Sequence, residues 1–253
     1  MTDIPNTVMV CLFVFLAGFI DSIAGGGGLI SLPAYVATGI PMHMALASNK
    51  FSSTCGSLVS SLRFARHKKV HFGSVGISIV CALAGSAIGA RTVLLVGDYV
   101  LKILLLGAIP VVAFLVILKK DFGHENKVDS INPRIVFLLS GVIGLVLGFY
   151  DGFFGPGTGT FLIFAYTILL RFDLATASGN AKFVNFASNI GALCMFLYKG
   201  QVNFALAVPA AVFGIAGNYL GSGLAVRWGA KVIRPVFVAA LLLLIINIVR
   251  DMI

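Results

Sequence analysis

The sequence predicts an all-α polytopic membrane protein built from two homologous repeats, and three observations predict it. Of 253 residues, 59% are hydrophobic and only 11% charged, whereas a soluble domain runs near a quarter charged. The apolar residues fall in runs of about 20, the length that crosses a hydrocarbon core. The motifs of the first half then return in the same order in the second.

This composition cannot clothe a water-facing surface, which excludes an ordinary soluble enzyme, a disordered chain and a fibrous protein. The net charge of +9 does not point to nucleic acid, and no such partner is expected. Lys and Arg sit in short runs beside apolar segments, as at Arg66-His67-Lys68-Lys69 and Lys119-Lys120, the pattern of cytoplasmic loops. Cys11, Cys55, Cys81 and Cys194 lie inside apolar stretches with no CxxC spacing, so they read as small hydrophobes. His43, His67, His71 and His124 show no metal-ligand spacing, and no nucleophile–base pair or HExxH motif appears. Neither an enzyme nor a cofactor or metal protein is expected.

Along the chain, the segment before Val8 lacks a basic n-region, so Val8 to Ala24 reads as a retained first helix rather than a cleaved signal. Gly25-Gly26-Gly27-Gly28 interrupts it, and Leu29 to Thr38 is too short to span alone. Three full spans follow, over Met42 to Leu62, Phe72 to Val96 and Tyr99 to Leu118. The polar stretch Lys119 to Arg134 divides the chain. The second half repeats the plan: Ile135 to Phe153, a break at Gly155-Pro156-Gly157-Thr158-Gly159, the short Thr160 to Leu170, then Leu174 to Tyr198, Phe204 to Val226 and Val232 to Val249. Residues 1–124 form the first repeat, 125–134 a cytoplasmic linker and 135–253 the second repeat. Trp228 and several Tyr residues suit the membrane interface.

The repeat is carried by particular residues. Gly18-Phe19-Ile20-Asp21 returns as Gly148-Phe149-Tyr150-Asp151, each followed by its glycine cluster. Ala47-Ser48-Asn49-Lys50-Phe51 matches the Ala177 to Phe183 stretch, while Gly85 and Gly89 match Gly217 and Gly221. Duplication explains this better than chance. If each long and short helix form a hairpin, Arg171, Arg227, Lys231 and Arg234 join the 66–69 and 119–134 loops on the cytoplasmic side. If they make one crossing, those four face outward. The positive-inside rule favours the hairpin, and with it inverted repeats.

Glycine is costly in a helix interior, and Pro156 has no N–H to give, so both glycine clusters should break their helices. Irregular backbone at membrane depth belongs where it is buried in protein or lines a wet cavity. A helix N-terminus offers free N–H groups to an anion, and paired breaks in two halves point to a transporter binding site. Close helix packing is the competing explanation, and it is the better one for isolated residues such as Gly85 and Gly89. Lys50 and Lys182 lie in otherwise apolar helices, where a charge demands a partner or a cavity. Asp21 and Asp151 could neutralise them, or take up and release protons during transport. Asn185, Ser188 and Asn189 share one face of the helix after Lys182 and could line the same cavity or bond between helices.

These residues resemble a known family. Asp21 to Lys50, reading Asp-Ser-Ile-Ala-Gly-Gly-Gly-Gly-Leu-Ile-Ser-Leu-Pro and ending Ala-Ser-Asn-Lys, is similar to the first signature of the TauE/SafE sulfite exporters. Gly148 to Phe183, with Gly-Asn-Ala-Lys-Phe near its end, resembles the second. The resemblance spans about Val8 to Val249 and implies a multi-pass carrier of the bacterial inner membrane for sulfite, organosulfonates or related sulfur-containing anions. The expected substrate site is Gly25, Gly26, Gly27, Gly28, Asn49 and Lys50 from one half, with Gly155, Gly157, Thr158, Gly159, Asn180 and Lys182 from the other. Asp21 and Asp151 are the candidates for proton coupling, and alternating access is the expected mechanism. A homodimer would suit the glycine-rich faces. A passive anion channel and a non-transporting assembly protein are the alternatives.

Overall fold

The computed structural model describes residues 4–101, 103, 125–229, 231 and 232. The spans expected over 99–118 and 232–249 therefore lie outside the described residues except at their first positions, as does the polar stretch through His124. Regular structure among the described residues is helical throughout. The elements are α1 (Ile4–Ala24), α2 (Gly28–Ala37), α3 (Met42–Arg66), α4 (Phe72–Val93), a short 3-10 turn at Val128–Ser130, α5 (Pro133–Phe153), α6 (Thr158–Leu169), α7 (Leu174–Tyr198) and α8 (Phe204–Trp228).

Local chemistry sets the helix starts. The His71 ring accepts from Ser74 N at the head of α4. Asn132 accepts from Arg134 N, with Pro133 opening α5. Asp173 accepts from Ala175 N and Thr176 N at the head of α7, and Asn203 accepts from Leu206 N at the head of α8. Each side chain satisfies an N–H that the first turn leaves unpaired. At the other end, α3 runs on past Leu62 to Arg66. Basic side chains in a last turn suit the helix dipole, and the Arg63 guanidinium lies over the Tyr219 ring and donates to its carbonyl at 2.7 Å. An apolar run ends at the first charge; a helix with a partner for that charge does not.

The polarity of the fold is inverted relative to a soluble bundle. Helices α1, α4, α5 and α8 are long and apolar enough to cross a bilayer. Their outward residues, among them Leu12, Leu16, Val80, Leu138, Val146 and Val212, are large, apolar and exposed. The 25-residue α3 and α7 match them in length but bury polar groups, including Ser48, Asn49, Lys50, Ser52, Asn185, Ser188 and Asn189. Apolar surface outside and polar groups inside is the arrangement that hydrocarbon, not water, stabilises.

Glycines bring the helices together in two matching seams. A side chain at Gly85 or Gly89 of α4 would overlap the α5 backbone at Leu145, Phe149 and Gly152. One at Gly217 or Gly221 of α8 would overlap the α1 backbone at Phe15 and Phe19. Gly217 thus stands to Phe15 and Phe19 as Gly85 stands to Leu145 and Phe149. Both pairs run parallel, since the later residue of one meets the later residue of the other. Helices α3 and α7 run antiparallel: Lys50 bonds Asn189, while Phe64 near the end of α3 meets Gly179 near the start of α7.

One end of the bundle gathers the connections that follow α3 and precede α5 and α7. His71 N donates to Asn180 at 2.9 Å, the His71 and Phe172 rings lie 5.4 Å apart, and Lys127 N donates to Arg171 O at 2.9 Å. At the other end Asn203 N donates to Ser48 at 3.0 Å, and His43 pairs with Asp98 at 2.8 Å.

Candidate functional site

Both predicted breaks are present. Gly25 and Gly26 adopt φ of +76° and +86°, and Gly155 and Gly157 adopt +96° and +83°, a region that L side chains rarely enter. The chain thereby stops α1 at Ala24 and starts α2 at Gly28, and likewise stops α5 at Phe153 and starts α6 at Thr158. The two breaks meet: a side chain at Gly25 would overlap the backbone of Gly159 and Thr160, and Thr160 Oγ1 donates to Ala24 O at 3.3 Å.

Around this meeting point the charged residues pair across the two halves. Lys50 of α3 contacts Asp151 of α5 at 2.7 Å, and Lys182 of α7 contacts Asp21 of α1 at 2.6 Å. Each lysine therefore takes the aspartate of the other half. Further bonds hold the pairs in place. Asp151 accepts from Ser188 Oγ at 2.6 Å, and Lys50 donates to Asn189 Oδ1 at 3.1 Å. Asp21 accepts from Gly27 N at 3.2 Å, capping the broken start of α2. Lys50, Asp151 and Lys182 are all buried, with Lys182 fully so.

A cavity of about 40 Å³ lies against the breaks. Gly26, Gly27, Gly28, Asn49, Lys50, Gly155, Gly157, Thr158 and Gly159 all line it, as do Asp21 and Asp151. The predicted site is not brought together whole. Gly25 is spent on the contact between the breaks, and Lys182 stands behind Asp21, outside the lining. Asn180 bonds His71 N and Ser74 Oγ at one end of the bundle. Asn185 and Asn189 do face the cavity, while Ser188 serves Asp151.

Sequence reasoning passed over Ser31, Ser52 and Asn218, which also line the cavity. Ser31 Oγ donates to Asn49 Oδ1 at 2.7 Å, and Ser52 Oγ accepts from Tyr35 at 3.1 Å. Asn218 is the one amide within α8, a helix otherwise nearly free of large polar groups. A lone buried amide in an apolar span is the signal that could have found it.

In chemical terms the site offers an ammonium, the N–H groups of two broken helix starts and several amides. Its fixed charges balance in this state, two lysines against two aspartates. No group of three or more His, Cys, Asp or Glu suited to a metal occurs among the described residues.

Comparison with known proteins agrees with this architecture. The chain is 36% identical to a probable membrane transporter protein, ORF9, of Sinorhizobium sp., over 99% of this chain and 96% of that one. It is 38% identical to the probable membrane transporter protein YfcA of Escherichia coli K12, over 92% and 86% of the two chains. A probable membrane transporter protein of Haemophilus influenzae is 34% identical over 98% and 97%. No solved structure matches. The family described as sulfite exporter TauE/SafE matches residues 10–248, so the chain belongs to the TauE/SafE family and is a multi-pass membrane transporter.

Proposed function

We propose that this transporter carries a small sulfur-containing oxyanion, sulfite in the first instance, by alternating access between two inverted repeats. The observation that carries the reading is the exchanged ion pairing at the meeting of the two breaks, Lys50 with Asp151 and Lys182 with Asp21. A buried charge pair with no ligand to serve is often no better for stability than apolar packing. Beside a cavity and two broken helix starts, the same pair is a means of holding an anion.

Inverted topology is supported by the helix directions. The antiparallel crossing of α3 and α7 is what a two-fold axis in the membrane plane requires, and the matching glycine seams obey the same axis. The bond from Lys127 to Arg171 supports a hairpin of α5 and α6 that returns the chain to the side of the linker. The cavity supports a small substrate. About 40 Å³ holds roughly three water-sized groups, which suits an ion of four heavy atoms better than a longer organosulfonate.

Coupling follows from charge balance. With Asp151 ionised, Lys50 is occupied. A proton taken up by Asp151 frees Lys50 to hold the anion, so one proton and one negative charge enter together and the site keeps its net charge. Rocking of one repeat against the other would then expose the loaded site to the far side.

The test is exchange in proteoliposomes. Labelled sulfite outside should enter saturably, and faster when unlabelled sulfite is trapped inside, while Lys50→Ala should abolish the uptake. Uptake that trapped sulfite does not accelerate would mean a channel. No uptake by folded protein would remove sulfite transport from the reading.

A further inference from the structure

Resting on the proposal that the cavity carries a small oxyanion, we infer that the anion is taken in a form that bears its own proton, and that Asn218 selects it. Asn218 lines the cavity and is 4% exposed. Its Nδ2 donates to Gly214 O at 3.0 Å. A carbonyl can only accept, so this bond fixes which way the amide is turned. The remaining atom, Oδ1, is buried and has no hydrogen-bond partner among the described residues.

Four other buried side-chain oxygens share that condition, on Ser61, Ser140, Thr167 and Ser178. All four are hydroxyls, which can turn to donate or accept, and none lines the cavity. Asn218 Oδ1 is the pure acceptor of the group. A buried acceptor left unmatched is costly and calls for an explanation.

Two neighbouring helices make room for it. A side chain at Gly18 of α1 or Gly56 of α3 would overlap Asn218 Nδ2. The matching place in the other half is closed, with Ser86 Oγ bonded to the carbonyl of Ser188. The unpartnered amide oxygen is therefore peculiar to this half and is not a feature of the repeat.

None of the donors around the cavity is bonded to Oδ1. Lys50 is bonded to Asp151 and Asn189, Ser31 donates to Asn49, and Ser52 donates to the Asn49 carbonyl. The matching donor comes with the ligand. A fully deprotonated oxyanion presents only lone pairs to Oδ1. A hydrogen-oxyanion gives its O–H to Asn218, and its other oxygens accept from Lys50 and the helix starts.

Two monoanions of nearly the same shape separate the cases: hydrogensulfite, and methanesulfinate with a methyl group in place of the hydroxyl. Purified protein is titrated with each at a pH where sulfite is singly protonated, and thermal unfolding is followed. The wild type should respond to hydrogensulfite at concentrations at least about tenfold lower, since a site built to bond a hydroxyl rejects the analogue without one. The ratio should fall towards one in Asn218→Leu and in Asn218→Ala. Equal responses of the wild type to the two anions would overturn this inference alone, and that comparison holds even if both variants fail to fold. Stabilisation by sodium that Asn218→Leu abolishes would also overturn it, Oδ1 then serving a cation. No response to any anion in the wild type, together with no flux, would overturn the carrier reading as well.

Discussion

At the scale of residues, four charges in apolar helices carry the account. Their presence was legible in the sequence, because a lysine or aspartate among apolar residues demands a reason. Their pairing was not, since either aspartate lies as plausibly beside either lysine until the helices are packed. The crossing pattern, Lys50 to Asp151 and Lys182 to Asp21, has an energetic consequence. Removing one member strands the other, at a cost of about 3–5 kcal/mol. Lys50→Ala and Asp151→Ala should each lower stability by about that amount, and the double variant by clearly less than the sum. Equilibrium unfolding of the two single variants and the double variant measures this coupling directly. Additive losses would mean that the pair is not a unit.

At the scale of elements, the helices among the described residues and both breaks were readable from apolar runs and glycine clusters. Several ends were too, among them Ala24, Phe153 and both ends of Leu174–Tyr198, but the end of α3 was not. Helix α3 continues past Leu62 and the first charge, because Arg63 finds Tyr219, a contact that only packing creates. The seams distinguish glycines that hold helices together from those that do not. At Gly148 a side chain would overlap the Ala82 backbone, whereas nothing lies within 4 Å of the same position at Gly76. Gly148→Ala should therefore cost about 1–3 kcal/mol through overpacking. Gly76→Ala should gain about 0.5–1 kcal/mol through helix propensity. Thermal unfolding of the two variants checks both signs. A neutral Gly148→Ala would mean that the seam between α4 and α5 is looser than its contacts imply.

At the scale of the whole molecule, the sequence indicated two repeats but weighed their relative direction only by counting charges. The proposed inversion is supported by contacts between residues far apart in the chain, such as Lys50 with Asn189 and Phe64 with Gly179, which set α3 and α7 antiparallel. It has a topological consequence. Arg171 shares an end with Lys127 and His71, while Gln201 and Asn203 share the other with Ser48 and Phe51. In a background without Cys11, Cys55, Cys81 and Cys194, single cysteines at 171 and 201 should react with an impermeant thiol reagent from opposite faces of the membrane. Reaction from the same face would refute the inverted arrangement.

The central claim is that an anion takes the place of Asp151 beside Lys50, and one measurement reaches it most directly. Thermal unfolding of wild type and Asp151→Asn is followed as sulfite is added at fixed pH. The ligand's own titration is common to both proteins, so any difference belongs to Asp151. Without its counter-charge Lys50 should gain more from the anion, and sulfite should stabilise the variant at lower concentration, and by more degrees, than the wild type. Equal shifts in the two proteins, or a shift in the wild type alone, would contradict the account.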